Sequence, residues 1–251
     1  MSSFSATKSR IASAVKLATR SGMKHLHSES LQPPYTICAG GRSAVLEATP
    51  GRYSRDCYLE IVVHDTYGLY KIPPTGPQVI ADIGANFGLF SRLCSLIYPQ
   101  AQIFAYEPHP SVFKQLTRNC EASNVNTFNM AVSDVSGESF LDVSADSTLS
   151  SLNASSGAPV KTIAGTEIAD KREIDLLKMD CEGAEWLIFE DPSLLRRTKH
   201  LRMEYHTNAL GIIRPLDQLL DLIRAAGHEI LLCQELYGRG SGVGVLWSKR
   251  V

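Results

Sequence analysis

Apolar residues in this chain come in short runs separated by longer amphipathic stretches. The runs at 78–83, 102–107, 126–132, 173–180, 199–205, 228–234 and 243–248 have the length of strands. Between them, apolar positions recur at helical spacing over about 87–98, 110–122, 184–190 and 215–226. Strands that alternate with helices predict a parallel sheet covered on both faces. The last two runs are joined by "ELYGRGSG", too short for a crossover helix, so that pair is antiparallel. The pattern predicts an α/β domain built on a mostly parallel sheet of seven strands.

The pattern is weaker in two places. Residues 1–34 read as helical or loose, and 35–72 as β-like segments ("YTICAG", "SAVLEA", "YLEIVVHD") broken by Gly40-Gly41 and Pro50-Gly51. Between 133 and 165 it fades into a short hairpin, "ESFLDVS", and a Ser-rich loop. The expected organisation is an N-terminal helical/β extension over 1–50, a candidate substrate lid, followed by the α/β domain over 51–251. The first 28 residues carry five Lys/Arg and no acid. That composition suits a basic helix lying over a cleft, a frayed leader or an organelle transit peptide.

Composition narrows the function classes. Net charge is −1, which removes any global attraction to nucleic acid or anionic lipid. Six scattered cysteines with no CxxC pair read as reduced thiols, which places the protein in the cytoplasm. No apolar run approaches the roughly 18 residues of a membrane span.

Chemistry enters at "VIADIGANFGLFS", an apolar strand, a glycine turn and then a helix. A pyrophosphate-binding turn wants G-x-G-x-x-G, so that phosphate oxygens meet bare backbone N–H groups. Here Gly84 and Gly88 are spaced G-x-x-x-G and Asp82 precedes them, an acid that would repel pyrophosphate. A cationic ligand fits better, and S-adenosylmethionine, with its sulfonium and ammonium groups, is one. Glu107 closes the next strand, where an acid can accept both hydroxyls of a ribose. The bland alternative makes Asp82 a helix cap and Glu107 a surface acid.

"LLKMDCEGAEWLIFE" begins as a core strand and ends as an amphipathic helix, with Lys178, Asp180, Glu182 and Glu185 at the join. Period two puts Lys178 and Asp180 on one face of the strand, beside Asp82 at the crevice. A buried lysine needs an acidic partner. "LRMEYH" ends the following strand with Glu204 and His206. A neutral histidine there would be a competent base for a hydroxyl. Asp180, Glu182, Glu204 and His206 could also hold a hard divalent cation such as Mg²⁺. The competing reading is a salt-bridge network that anchors the strand–helix turn, and for Glu185 the two are equally matched.

Taken together, "VIADIGANFGLFS", "AYEPHP", "NMAVSDVSGE" and "IDLLKMDCEGAEW" resemble the FkbM family of SAM-dependent methyltransferases, from about residue 55 to the C-terminus. The resemblance implies a class I methyltransferase, Rossmann-like fold whose final strand is reversed. It implies that Asp82, Gly84, Asn86 and Gly88 line the methionine and ribose end of S-adenosylmethionine, and that Glu107 holds the ribose. Ala131 and Val132, with Ser133 or Asp134, would flank the adenine, and Asp180 would face the methionine part and the acceptor. Family members mostly methylate hydroxyls of sugars, polyketides and related natural products. The expected reaction is therefore O-methylation of a small molecule, with no nucleic acid and no membrane span involved and with a homodimer as a candidate assembly. His206, Asp180 and Lys178, in that order, are the candidate bases. Around the acceptor, Arg10, Lys16, Tyr35, Tyr53, Tyr58, Tyr205, Asn208, Arg214 and Tyr237 are candidate contacts. N-methylation of an amine or peptide, a non-catalytic scaffold, and an NAD-dependent oxidoreductase or epimerase are the alternatives.

Overall fold

The computed structural model of the protein describes residues 31–73, 76–142, 151–153, 157–209, 212–238 and 240–251. Its strands are β1 (Tyr35–Ala39), β2 (Arg42–Leu46), β3 (Val79–Ile83), β4 (Gln102–Tyr106), β5 (Val125–Phe128), β6 (Ala131–Ser133), β7 (Gly137–Asp142), β8 (Ser151–Asn153) and β9 (Ala158–Ala164). They continue with β10 (Ile174–Met179), β11 (Thr198–His206), β12 (Asn208–Ala209), β13 (Ile212–Ile213), β14 (His228–Glu235) and β15 (Val243–Arg250).

Seven of them form the central sheet, in the order β14-β15-β11-β10-β3-β4-β5. Only β15 runs against its neighbours, β11 and β14, as the short last connection requires. Successive residues on the inner strands enter different cores. Ile80, Ile103 and Leu176 join one cluster, while Ala81, Phe104 and Leu177 join the other. Both faces are thus covered, which is why these strands read as apolar runs without alternation.

The first core also takes in Tyr35, Ile37, Leu46, Tyr58 and Val62, so the β1–β2 hairpin packs on the same face as helix Leu89–Ile97. The second is closed by Trp186, Ile188, Phe189, Leu194, Leu219 and Ile223. At roughly 1.5–3 kcal/mol for each large side chain fully buried, these clusters supply the main drive for folding.

Two expectations are corrected. The segment read as the β-like "YLEIVVHD" is helical, because Arg52–Tyr58 is an α-helix that continues as a wider turn through Leu59–Val63. Ser54, Tyr58 and Val62 are buried at four-residue spacing, so the packing stripe outweighs the β-branched run Ile61-Val62-Val63. The strand expected at 126–132 is two strands in different sheets: β5 edges the main sheet, and β6 joins a second sheet of order β6-β9-β7-β8. The Asn129 amide makes the break, donating to the carbonyls of Glu107 and Pro108 at 2.9 Å each. β9 was not foreseen, and the expected basic helix, with Arg10 and Lys16, lies outside the described residues. Among those residues, no helix is long and apolar enough to cross a membrane.

Candidate active site

The chain runs outward from β3 through β4 to β5 on one side, and from β10 to β11 on the other. Strand order therefore reverses between β3 and β10, and beyond the C-terminal ends of such strands lies the crevice where open α/β sheets bind their ligands. The glycine turn after β3 and the residues that end β4, β10 and β11 meet there.

The glycine turn follows β3. The Gly84 and Ala85 amides both donate to the Tyr106 carbonyl, at 3.1 and 2.9 Å, and so tie the turn to β4. Gly84 has φ 72°, and a Cβ there would stand 1.8 Å from the Asp180 carbonyl oxygen. Its bareness thus serves the close approach of the β10 end. Gly88, at φ 91°, meets helix Pro110–Asn119 in the same way, with Leu116 Cδ1 2.8 Å from the missing Cβ. Between them Asn86 takes a left-handed conformation, φ 53°, which asparagine tolerates better than most residues.

Glu107 ends β4 and faces this turn. Its carboxylate accepts the Asn86 amide at 2.9 Å and the His109 amide at 2.8 Å, one on each oxygen. Burial raises it from the usual carboxylate range to about 7, against the lowering effect of those two bonds. Each oxygen keeps a lone pair, so the group can still accept a diol.

Asp82 departs from expectation. It is fully buried beneath the turn, where Ser91 Oγ donates to it at 2.6 Å and Lys178 Nζ lies 3.3 Å from its other oxygen. The register pairs Lys178 with Asp82 on adjacent parallel strands. Asp82 is thus engaged beneath the turn by Ser91 and Lys178. Lys178 Nζ also donates to the Gly84 carbonyl at 2.7 Å and stands 3.8 Å from Asp180 Oδ2. Burial alone would lower this amine, but Asp82 and Asp180 hold it above its ordinary value. Lys178 is thus engaged by Asp82, Asp180 and the Gly84 carbonyl at the join of β3 and β10.

Around the next corner, His206 is enclosed by three acids. Its Nε2 lies 3.3 Å from Glu182 and 3.6 Å from Glu204, and its Nδ1 lies 3.3 Å from Glu185. Glu185 is fully buried and also accepts the amides of Gly183 and His206 at 2.9 and 2.7 Å, so it fixes the turn and the ring together. Burial would lower the imidazole, but its bonds to Glu185 and Glu204 and the nearby charges push it up to about 11. The acids around the ring therefore favour its protonated form over the neutral histidine expected from the sequence. Glu182 and Glu204 are both held above the carboxylate range, first by burial and then by the charge of Asp180. Asp180, Glu182 and His206 bring one ligand atom each to within 4.8 Å of one another, with Glu204 beside them.

Other candidates separate by burial. Tyr35, Tyr58 and Tyr205 are about 1% exposed and belong to the cores, so they do not face an acceptor. Tyr53 and Tyr237 are exposed, and their hydroxyls contact Asn86 Nδ2 and Glu60 Oε1 respectively. Arg214 stacks on Trp186, and the Trp186 indole holds the His206 carbonyl at 2.8 Å. Ala131 and Val132 are buried in β6. Sequence reasoning missed Tyr67, whose hydroxyl donates to Asp180 Oδ2 at 3.3 Å. Nothing local marks it, because its partner is far away in the chain.

Comparison with known proteins agrees with this layout. Residues 82–230 match the methyltransferase FkbM domain. The AMB antimetabolite synthetase AmbE of Pseudomonas aeruginosa is 26% identical over 252 aligned residues, covering 81% of this chain and 12% of that protein. The hexuronic acid methyltransferase AglP of Haloferax volcanii is 30% identical over 115 residues, 43% of this chain and 47% of that protein. The chain thus spans less than half the length of either relative. Among solved structures, the fibrillarin pre-rRNA processing protein of Methanococcus jannaschii superposes with a TM-score of 0.51 at 11% identity, covering 90% of this chain and 85% of that one. The StiE O-MT gives 0.50 at 8% identity, over 79% and 77%. These likenesses establish the class I methyltransferase fold, and the family match covers more than half of the sequence. The chain belongs to the FkbM methyltransferase family.

Proposed function

We propose that the protein is an S-adenosylmethionine-dependent O-methyltransferase acting on a hydroxyl of a small molecule, a sugar, glycoside or polyketide-type product. The observation that carries the reading is Glu107, a buried carboxylate at the end of β4 with spare acceptor capacity, facing the Gly84–Gly88 turn. A ribose diol suits it. Gly84, Asn86 and Gly88 would receive the methionine end, the backbone of Ala131 and Val132 would edge the adenine, and Asp180 would stand towards the acceptor. When bound, S-adenosylmethionine supplies a methyl carbon already activated by the sulfonium.

The protein then needs to align the acceptor and take its proton. Lys178 is committed to Asp82 and the Gly84 carbonyl, and His206 is enclosed by Glu182, Glu185 and Glu204. Asp180 is the remaining group, with its side chain 30% exposed. It accepts the hydroxyl hydrogen bond and receives the proton as the new bond to carbon forms. Incubating the protein with methyl-labelled donor and panels of sugar and polyketide hydroxyls tests this. Label found only on amines or peptides would select the N-methylation alternative.

A second reading has its own support, the convergence of Asp180, Glu182 and His206. These residues would hold a divalent cation such as Mg²⁺, which lowers the pKa of a bound hydroxyl. Transfer lost on chelation and restored by Mg²⁺ would favour it; transfer unchanged by chelation would remove it.

A further inference from the structure

Tyr67 lies outside the family-matched segment, in the turn that follows the helical stretch Arg52–Val63, yet its hydroxyl reaches Asp180 at the end of β10. Its ring is 4% exposed and is held on two sides. It meets Phe90 edge-on at 5.5 Å between centroids, and the Lys178 ammonium sits 5.5 Å from its centroid. Its hydroxyl points at Asp180 Oδ2, the same oxygen that Lys178 approaches at 3.8 Å. A rigid phenol and a fixed ammonium therefore anchor one oxygen of Asp180 and leave the other for the crevice.

We infer that Tyr67 is a positioning residue for methyl transfer, orienting the Asp180 carboxylate towards the acceptor through its hydroxyl. The inference rests on the reading of Asp180 as the acceptor's partner. Without that bond, Asp180 can rotate about its side-chain torsions, and the acceptor is aligned in fewer of its bound states. Alignment enters the turnover step and not donor binding, which Glu107 and the glycine turn would govern.

The test is a double-mutant cycle of Tyr67→Phe and Asp180→Ala, read by single-turnover rate, KM for the donor and Tm. Tyr67→Phe keeps the ring against Phe90 and Lys178, so Tm and donor KM should hold while kcat falls by roughly tenfold to a hundredfold, the worth of one hydrogen bond to a charged group. In the Asp180→Ala background the same substitution should change the rate less than twofold, because its target is gone. Independent, multiplying losses would show a merely structural tyrosine and overturn the inference. Wild-type kcat in Tyr67→Phe beside a crippled Asp180→Ala would overturn it alone. Full activity in Asp180→Ala would overturn both it and the underlying role of Asp180.

Discussion

Lys178 and Asp82 stand opposite each other on adjacent parallel strands, both side chains buried, with the ammonium 3.3 Å from the carboxylate. The pair ties β10 to β3. Lys178→Met would leave Asp82 buried with only Ser91 as a partner, at a cost of about 3–5 kcal/mol. Denaturant unfolding measures this, and adding Asp82→Asn should recover much of the loss. An unchanged midpoint in the single variant would show that the pair contributes little.

Glu107 makes stability depend on pH. Its folded value is about 7 against an ordinary 4.5, so across that window the folded chain holds a proton that the unfolded chain releases. Its contribution is complete below the unfolded value and is lost as pH rises through the folded one, by up to about 3 kcal/mol. Glu107→Gln should flatten this fall in unfolding titrations from about pH 5 to about pH 8, and should weaken donor binding. An equal slope in both proteins would place the effect elsewhere.

Gly84 faces two constraints, a left-handed φ and a carbonyl 1.8 Å from where its Cβ would be. Gly84→Ala must push the end of β10 away, with an expected loss of at least about 2 kcal/mol together with loss of transfer. A stable and active Gly84→Ala would mean that the turn yields more readily than its contacts imply.

Asp180→Asn should leave Tm nearly unchanged, since the side chain is partly exposed, while turnover falls by roughly a hundredfold or more. Full turnover would reduce the residue to a partner in the Lys178 ion pair.

The sequence exposed what depends on neighbours along the chain. The inner strands, the reversed last strand and the placing of Asp82, Glu107 and Asp180 at strand ends all follow from apolar runs punctuated by glycine and acid. The pairing of Lys178 with an acid was legible too, because burial of a lone ammonium leaves no other solution. The helix at 52–63 was not, since Ile61, Val62 and Val63 have strand propensity and only the packing of Tyr58 and Val62 decides. The break at Asn129 depends on carbonyls of a neighbouring strand. The depth of Asp82 is invisible in one dimension. The upward push on His206 depends on Glu182, Glu185 and Glu204 closing around it, Glu182 and Glu185 from the turn after β10 and Glu204 from its own strand.

The central claim is that the crevice between β3 and β10 receives S-adenosylmethionine through Glu107. Calorimetric titration of the purified protein with S-adenosylmethionine, S-adenosylhomocysteine and NAD, repeated on Glu107→Ala, tests it most directly. The account predicts micromolar binding of the methyl donor or its product, no binding of NAD, and loss of both ligands in the variant. Binding of NAD alone, or no binding of any ligand by demonstrably folded protein, would contradict it.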